Sequence, residues 1–159
     1  MLRYDLTLPL LLSVRWTGTR QELRAAGKVY RVENESSTHL EAFHQLELFA
    51  ADVRGRLDVW AFAGRILEAV DRLVPQAEVR ISPTDYPMCA RAFTLDVHHE
   101  GDWREIMAWG EYADWVLRGI APNPSSHVAI GAGFGLERAA GLRFGIRDVR
   151  QIAGARVDA

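Results

Sequence analysis

Residues 57–74 are the stretch whose structure is least ambiguous. Leu57, Trp60, Ile66, Leu67, Val70 and Leu73 recur at helical spacing, while Arg65, Glu68, Asp71 and Arg72 fall on other faces. Pro75 marks the end of this helix. Around it lie short strand-like runs with few helices between them and no regular βαβ alternation. Residues 28–33 alternate through Val29, Tyr30 and Val32, and Phe43, Leu46, Leu48 and Phe49 mark a return strand after the small polar loop 34–38. These two strands pair antiparallel through a loop too long for a tight hairpin. Further strands are predicted at 79–81, 93–97, 103–107 and 128–130. A short helix is predicted at 112–118, closed by Gly119, and a last one over about 134–142. Residues 2–14, broken by Pro9, read as a strand edge feeding a short helix. The pattern predicts an α+β fold, an antiparallel β-sheet flanked by helices.

A chain of 159 residues, 48% hydrophobic, is long enough for one domain with a sizeable core, assigned to 1–152 with 153–159 as a short tail. A net charge of −2 argues against a chain that holds nucleic acid by general basicity. Cys89 is the single cysteine, which excludes an intramolecular disulfide and a multi-cysteine zinc site. No apolar run reaches ~18 residues, so the expectation is a soluble cytoplasmic protein with no membrane span.

Two segments carry chemistry. In 130–146, Gly131, Gly133 and Gly135 alternate directly after a predicted strand, which suits a tight turn whose bare backbone can approach a ligand. A helix then opens, with free N–H groups suited to phosphate, and Arg138 sits on its first turn. A plain strand-to-helix turn with a surface arginine accounts for the glycines equally well, and a Rossmann reading fits poorly so near the C-terminus. In 30–49, Arg31, Glu33, Glu35, His39, Glu41, His44 and Glu47 crowd one strand–loop–strand. An exposed hairpin with solvated charges is one reading. A metal site of His39 and His44 with Glu41 or Glu47 is another, although no four-ligand set has the usual zinc spacing.

Taken whole, these segments resemble class II aminoacyl-tRNA synthetases. GAGFGLER looks like motif 3, and Tyr30-Arg31-Val32-Glu33 fills the opening of motif 2. His39, Phe43, His44, Gln45 and Glu47 match the return strand of the phenylalanyl α-subunit, and the spelling of motif 3 is similar to the pyrrolysyl enzyme. The resemblance implies an enzyme that uses MgATP to activate an amino acid as its aminoacyl-adenylate. It implies that Arg31 and Arg138 are catalytic, holding the α- and γ-phosphates. Glu33, His39, Gly133 and Gly135 would line the nucleotide, and Phe43 would stack on adenine opposite Arg138. Trp103-Arg104-Glu105-Ile106 matches a family block in which Glu105 would contact ATP through Mg²⁺. Gln45, Glu47, Thr7 and Gly110 would face the amino acid, with Glu47 on its ammonium. Two phenylalanines of the family's amino-acid slot are Tyr86 and Met88 here.

The resemblance covers 2–152. Motif 1, a long helix and proline-bearing strand, has no match in the chain, nor has a tRNA-binding domain. The resemblance therefore implies a fragment, a stand-alone enzyme using tRNA or another acceptor, or a non-catalytic paralogue that binds ATP, an amino acid or a partner subunit. A biotin- or lipoate-type ligase is the remaining alternative, without the Gly-Arg-Gly-Arg-Arg run of the former. An uncovered sheet edge or apolar face implies a homo-oligomer or a partner subunit.

Overall fold

The computed structural model describes residues 2–32 and 35–153. Six strands form one antiparallel sheet in the order β1-β2-β6-β5-β4-β3. They are β1 (Gln21–Tyr30), β2 (Ala42–Val53), β3 (Val79–Thr84), β4 (Cys89–His99), β5 (Asp102–Tyr112) and β6 (His127–Gly135). The helices are α1 (Thr7–Ser13), α2 (Val59–Leu73), α3 (Asp114–Leu117), α4 (Leu136–Phe144) and α5 (Val149–Ala153). The expected α+β architecture is what the chain adopts. None of the described helices is long and apolar enough to cross a membrane.

Strand alternation divides the core in two. On one face, Ala50 of β2, Leu95 and Val97 of β4, Trp109 of β5, and Val128, Ile130, Ala132 and Phe134 of β6 pack with Phe62, Ile66 and Val70 of α2. Asp58 starts α2 by accepting hydrogen bonds from the backbone N–H groups of Trp60 and Ala61 at 2.8 and 3.2 Å. On the other face, Phe49, Ala51, Ala129 and Tyr112 pack under Leu10 and Leu11 of α1 and Leu117 of α3. The rest of that second face is left open and carries the site.

Several boundaries depart from the sequence reading. The expected glycine turn is a strand: β6 runs through Gly131 and Gly133 to Gly135, and Phe134 is a buried strand residue rather than the start of a helix. Pairing to β2 and β5 on both sides supplies the backbone hydrogen bonds that hold these glycines extended. β1 lies earlier than expected, because residues 21–26 continue its ladder with β2. β5 extends to Tyr112, which shortens the predicted helix at 112–118 to four residues. β4 and β5 are joined by Glu100 and Gly101, both at positive φ, a two-residue hairpin loop that matches the strand twist. Residues 2–5 form no strand, although the Tyr30 N–H donates to the Arg3 carbonyl at 2.8 Å and Arg3 reaches the Lys28 carbonyl. The predicted tail lies outside the described residues except for Ala153, which ends α5.

Candidate active site

Glycine and alanine floor the open face at the middle of the sheet. Gly133 of β6 sits opposite Glu47 of β2 and Ala108 of β5, Gly131 sits opposite Phe49 and Gly110, and Gly135 sits opposite Gln45. Above this floor lies a cavity of about 350 Å³. The structure brings Thr7, Arg31, His39, Phe43, Gln45, Glu47, Tyr86, Met88, Glu105, Gly110, Gly133, Gly135 and Arg138 around that single cavity. Glu33 lies outside the described residues. The glycines make room chiefly for other side chains. A Cβ on Gly131 would overlap the Tyr112 hydroxyl, and one on Gly133 would come within 2.9 Å of Gln45 Nε2. Only at Gly135 would it meet nothing closer than the aliphatic stem of Arg138, at 3.8 Å.

One wall is built to accept hydrogen bonds. Glu47 is 5% exposed, and its carboxylate accepts from the Thr7 hydroxyl at 2.7 and 2.9 Å and from Gln45 Nε2 at 2.9 Å. Asp5 positions Thr7 by accepting its backbone N–H at 3.0 Å where α1 begins. Burial raises the Glu47 pKa from 4.5 to about 7; the Thr7 hydrogen bond and Arg31 oppose this rise, and Asp5 adds to it. Gln45 turns its amide nitrogen to Glu47, and its buried Oε1 has no hydrogen-bond partner among the described residues. A buried acceptor beside a carboxylate that lacks a full countercharge is an environment that a cationic donor would satisfy.

Another part of the cavity lining is cationic and aromatic. The Arg31 guanidinium lies over the Phe43 ring at 4.9 Å and near the Tyr4 ring at 5.5 Å, and its buried Nε has no partner among the described residues. Arg138 is anchored from α4 by donating through Nε to the Thr38 carbonyl at 2.9 Å and through Nη1 to the Glu105 carbonyl at 3.3 Å. Its Nη1 lies 3.7 Å from the Glu105 carboxylate. Burial raises the pKa of Glu105, with Arg138 opposing the shift. His39 Nδ1 lies 2.9 Å from the Thr38 hydroxyl. Among the described residues no three His, Cys, Asp or Glu side chains gather as a metal cluster, so the histidine-based metal reading has no support there. Glu105 offers a single carboxylate beside the arginines. That is the donor Mg²⁺ needs from protein when phosphate oxygens and water supply the rest.

Sequence reasoning missed four side chains that shape this site. Glu137, buried on the first turn of α4, accepts the His44 backbone N–H at 2.9 Å and its Nδ1 at 2.8 Å, fastening α4 to β2. Asp5 and the buried Tyr112 also line the cavity, as does Cys89, whose thiol burial pushes up to about 11. A thiol so shifted stays protonated and is a poor nucleophile. Neither periodicity nor motif spacing separates Tyr112 from an ordinary core aromatic.

An open antiparallel sheet whose face sets paired arginines against a buried carboxylate defines the class. The chain belongs to the class II aminoacyl-tRNA synthetase core family: the family model for tRNA synthetases class II core domain (F) matches residues 18–159. Among curated proteins it is 29% identical over 130 residues to the phenylalanine–tRNA ligase alpha subunit of Acaryochloris marina, covering 82% of this chain and 39% of that protein. It is 31% identical to the same subunit of Synechocystis, over 80% of this chain and 38% of the relative. It is 33% identical to that of Laribacter hongkongensis, over 79% of this chain and 38% of the relative. The chain therefore spans about two fifths of the length of these relatives.

Glu47 gives the site a pH signature. Because folding raises its pKa, its contribution to stability is fully present below about pH 4.5 and is lost as pH rises through about 7. The full shift corresponds to about 3 kcal/mol at about 1.4 kcal/mol per pH unit. Glu47→Gln keeps an oxygen for Thr7 and Gln45 and should flatten this dependence, so that the variant gains stability over the parent as pH rises. Urea denaturation between about pH 5 and pH 8 measures it, and parallel curves would show that Glu47 is ionised at no cost.

Proposed function

We propose that this chain activates an amino acid with ATP to form an aminoacyl-adenylate, in tRNA aminoacylation or a related amino-acid transfer. The observation that supports this most is the juxtaposition in one cavity of Arg31 with the acceptor cluster of Glu47, Thr7 and Gln45. Phosphate needs fixed cations, and an amino acid's ammonium needs buried acceptors. The two line the same cavity.

In this reading the ammonium binds Glu47 and the unpartnered Gln45 Oε1, and the substrate carboxylate is held toward Arg31. A carboxylate oxygen attacks the α-phosphorus, the P–O bond to the β-phosphate breaks, and pyrophosphate leaves. Arg31 faces the charge that builds on the α-phosphate. Its position is fixed before reaction by Phe43 and Tyr4, so it can stabilise that charge with little reorganisation. Arg138, tied to Thr38 and Glu105, holds the outgoing phosphates and presents its plane to the nucleotide base. Glu105 would hold Mg²⁺, which would neutralise phosphate charge there. No side-chain nucleophile takes part, in keeping with the protonated Cys89.

The relatives are named alpha subunits of a tRNA ligase, which supports a partner subunit or a second copy and tRNA or another acceptor receiving the amino acid; we place this activity in the cytoplasm. Leu8 and Leu12 of α1 are 60% and 68% exposed one helical turn apart, and Leu2 is exposed as well. We assign this apolar strip to self-association.

Three outcomes check these readings. The first is ATP–pyrophosphate exchange with a suitable amino acid, reduced about a hundredfold or more by Arg31→Ala and by Arg138→Ala with the fold retained; exchange surviving both substitutions would show the roles to be wrongly assigned. The second concerns protons. An ammonium binds ionised Glu47, so amino-acid binding below about pH 7 should release a proton and tighten as pH rises through that value. Calorimetry in buffers of different ionisation enthalpy reads this, and proton-neutral binding counts against Glu47 as the ammonium site. The third is light scattering, which should give a mass above that of one chain, lowered by Leu8→Ser with Leu12→Ser; a monomer at all concentrations removes the strip from the argument.

A further inference from the structure

We propose that the amino-acid slot of this cavity admits only a short side chain, because Tyr112 and Cys89 fill the room that Gly131 and Gly110 leave; this rests on the adenylation reading above. A substrate bound for adenylation has its carboxylate on the Arg31 side and its ammonium at Glu47. The remaining substituent on its Cα then runs along the sheet away from Phe43 and Gly135, over Gly131 and Gly110. Gly131 lies two residues from Gly133, the partner of Glu47, which is about 7 Å along an antiparallel strand.

That length is not free. Tyr112 Cζ and Cε2 stand 2.9 and 3.0 Å from where a Gly131 Cβ would be, with the hydroxyl closer still. One strand over, a Gly110 Cβ would lie 2.9 Å from Cys89 Sγ and 2.7 Å from the Arg91 carbonyl oxygen. The two glycines thus accommodate bulk from β5 and β4 and do not deepen the slot. Tyr112 is held in place. It is 5% exposed, its ring centroid is 6.0 Å from that of Phe49, and it belongs to the cluster formed with α1 and α3. A ring packed in this way cannot swing aside without opening a void behind it. The substrate class is therefore an amino acid whose side chain has no more than about two or three heavy atoms, such as alanine, serine or cysteine, or has none, as in glycine.

The test uses the full chain with the twenty amino acids in ATP–pyrophosphate exchange, beside thermal-shift titration with the sulfamoyl-adenosine analogues of alanyl- and phenylalanyl-adenylate. Exchange should be confined to the small amino acids, and the alanyl analogue should bind about tenfold or more tighter than the phenylalanyl one. Tyr112→Ala should shift preference toward larger side chains by about tenfold or more. If that variant unfolds, Tyr112→Phe keeps the ring and removes only the hydroxyl over Gly131, and it should favour 2-aminobutyrate over alanine relative to the parent. Exchange with phenylalanine, tyrosine or leucine by the unaltered chain, or equal binding of the two analogues, overturns the size limit and leaves adenylation standing. Selective binding of the alanyl analogue without exchange overturns adenylation and leaves the size limit standing. No exchange and no binding of either analogue overturns both.

Discussion

The period-two alternation of β6 is the constraint on which the rest of the site depends. Val128, Ile130, Ala132 and Phe134 face α2, so the intervening residues must face the other way. Those residues are Ala129, Gly131, Gly133 and Gly135. Register then places Glu47 over Gly133 and Gln45 over Gly135, and Ala108 and Gly110 continue the low floor on β5. A slip of one residue would turn the apolar set into the cavity and the glycines into the core. The packing of α2 against one face therefore fixes the chemistry on the other, with no contact between α2 and a ligand.

A carboxylate buried on such a floor is costly, and the surroundings only partly offset the cost. Thr7 and Gln45 donate to Glu47, yet its pKa still stands near 7. A structural carboxylate is normally stabilised by a full countercharge, and here Arg31 is turned instead onto Phe43 and Tyr4. The free energy that burial withholds from Glu47 is recovered when a cation binds beside it. A deficit of this kind is what the proposed ammonium site would use, and it would add an electrostatic preference to the spatial one proposed for Tyr112.

The architecture was legible in the sequence wherever a segment served only the core. α2 shows its apolar stripe because one face is buried and the other meets water. Strands were legible only along part of their length, and for a common reason. The ends of β5 and β6 that line the cavity carry Gly110, Gly131, Gly133 and Gly135, residues that locally favour turns, and pairing with neighbouring strands overrides that preference. The glycines of β6 read as a turn in the sequence and are strand in the structure. Motif resemblance names the arginines, Phe43, Gln45, Glu47 and Glu105, and the structure gathers them around one cavity. Motif resemblance does not name Glu137 or Tyr112, because their partners are remote in sequence, as in the bond of Glu137 to His44, 93 positions away; the bond of Asp5 to Thr7 is local, and no motif marks it.

Tyr112 shows how two residues that differ from a larger neighbour's needs can still be one feature. Gly131 taken alone suggests a deeper pocket, and Tyr112 taken alone suggests core packing. Placed together, the hydroxyl occupies the space the missing Cβ releases, and the ring stays joined to Phe49 and Leu117 behind it. On the proposed size limit, the depth of the slot is set by a residue that packs in the second core cluster, so that changing the slot means changing the packing of α1 and α3. The segment that supplies Thr7 to Glu47 belongs to the same cluster through Leu10 and Leu11. The proposed ammonium recognition and the proposed size limit therefore rest on one packed unit, and a substitution that loosens it should disturb both together.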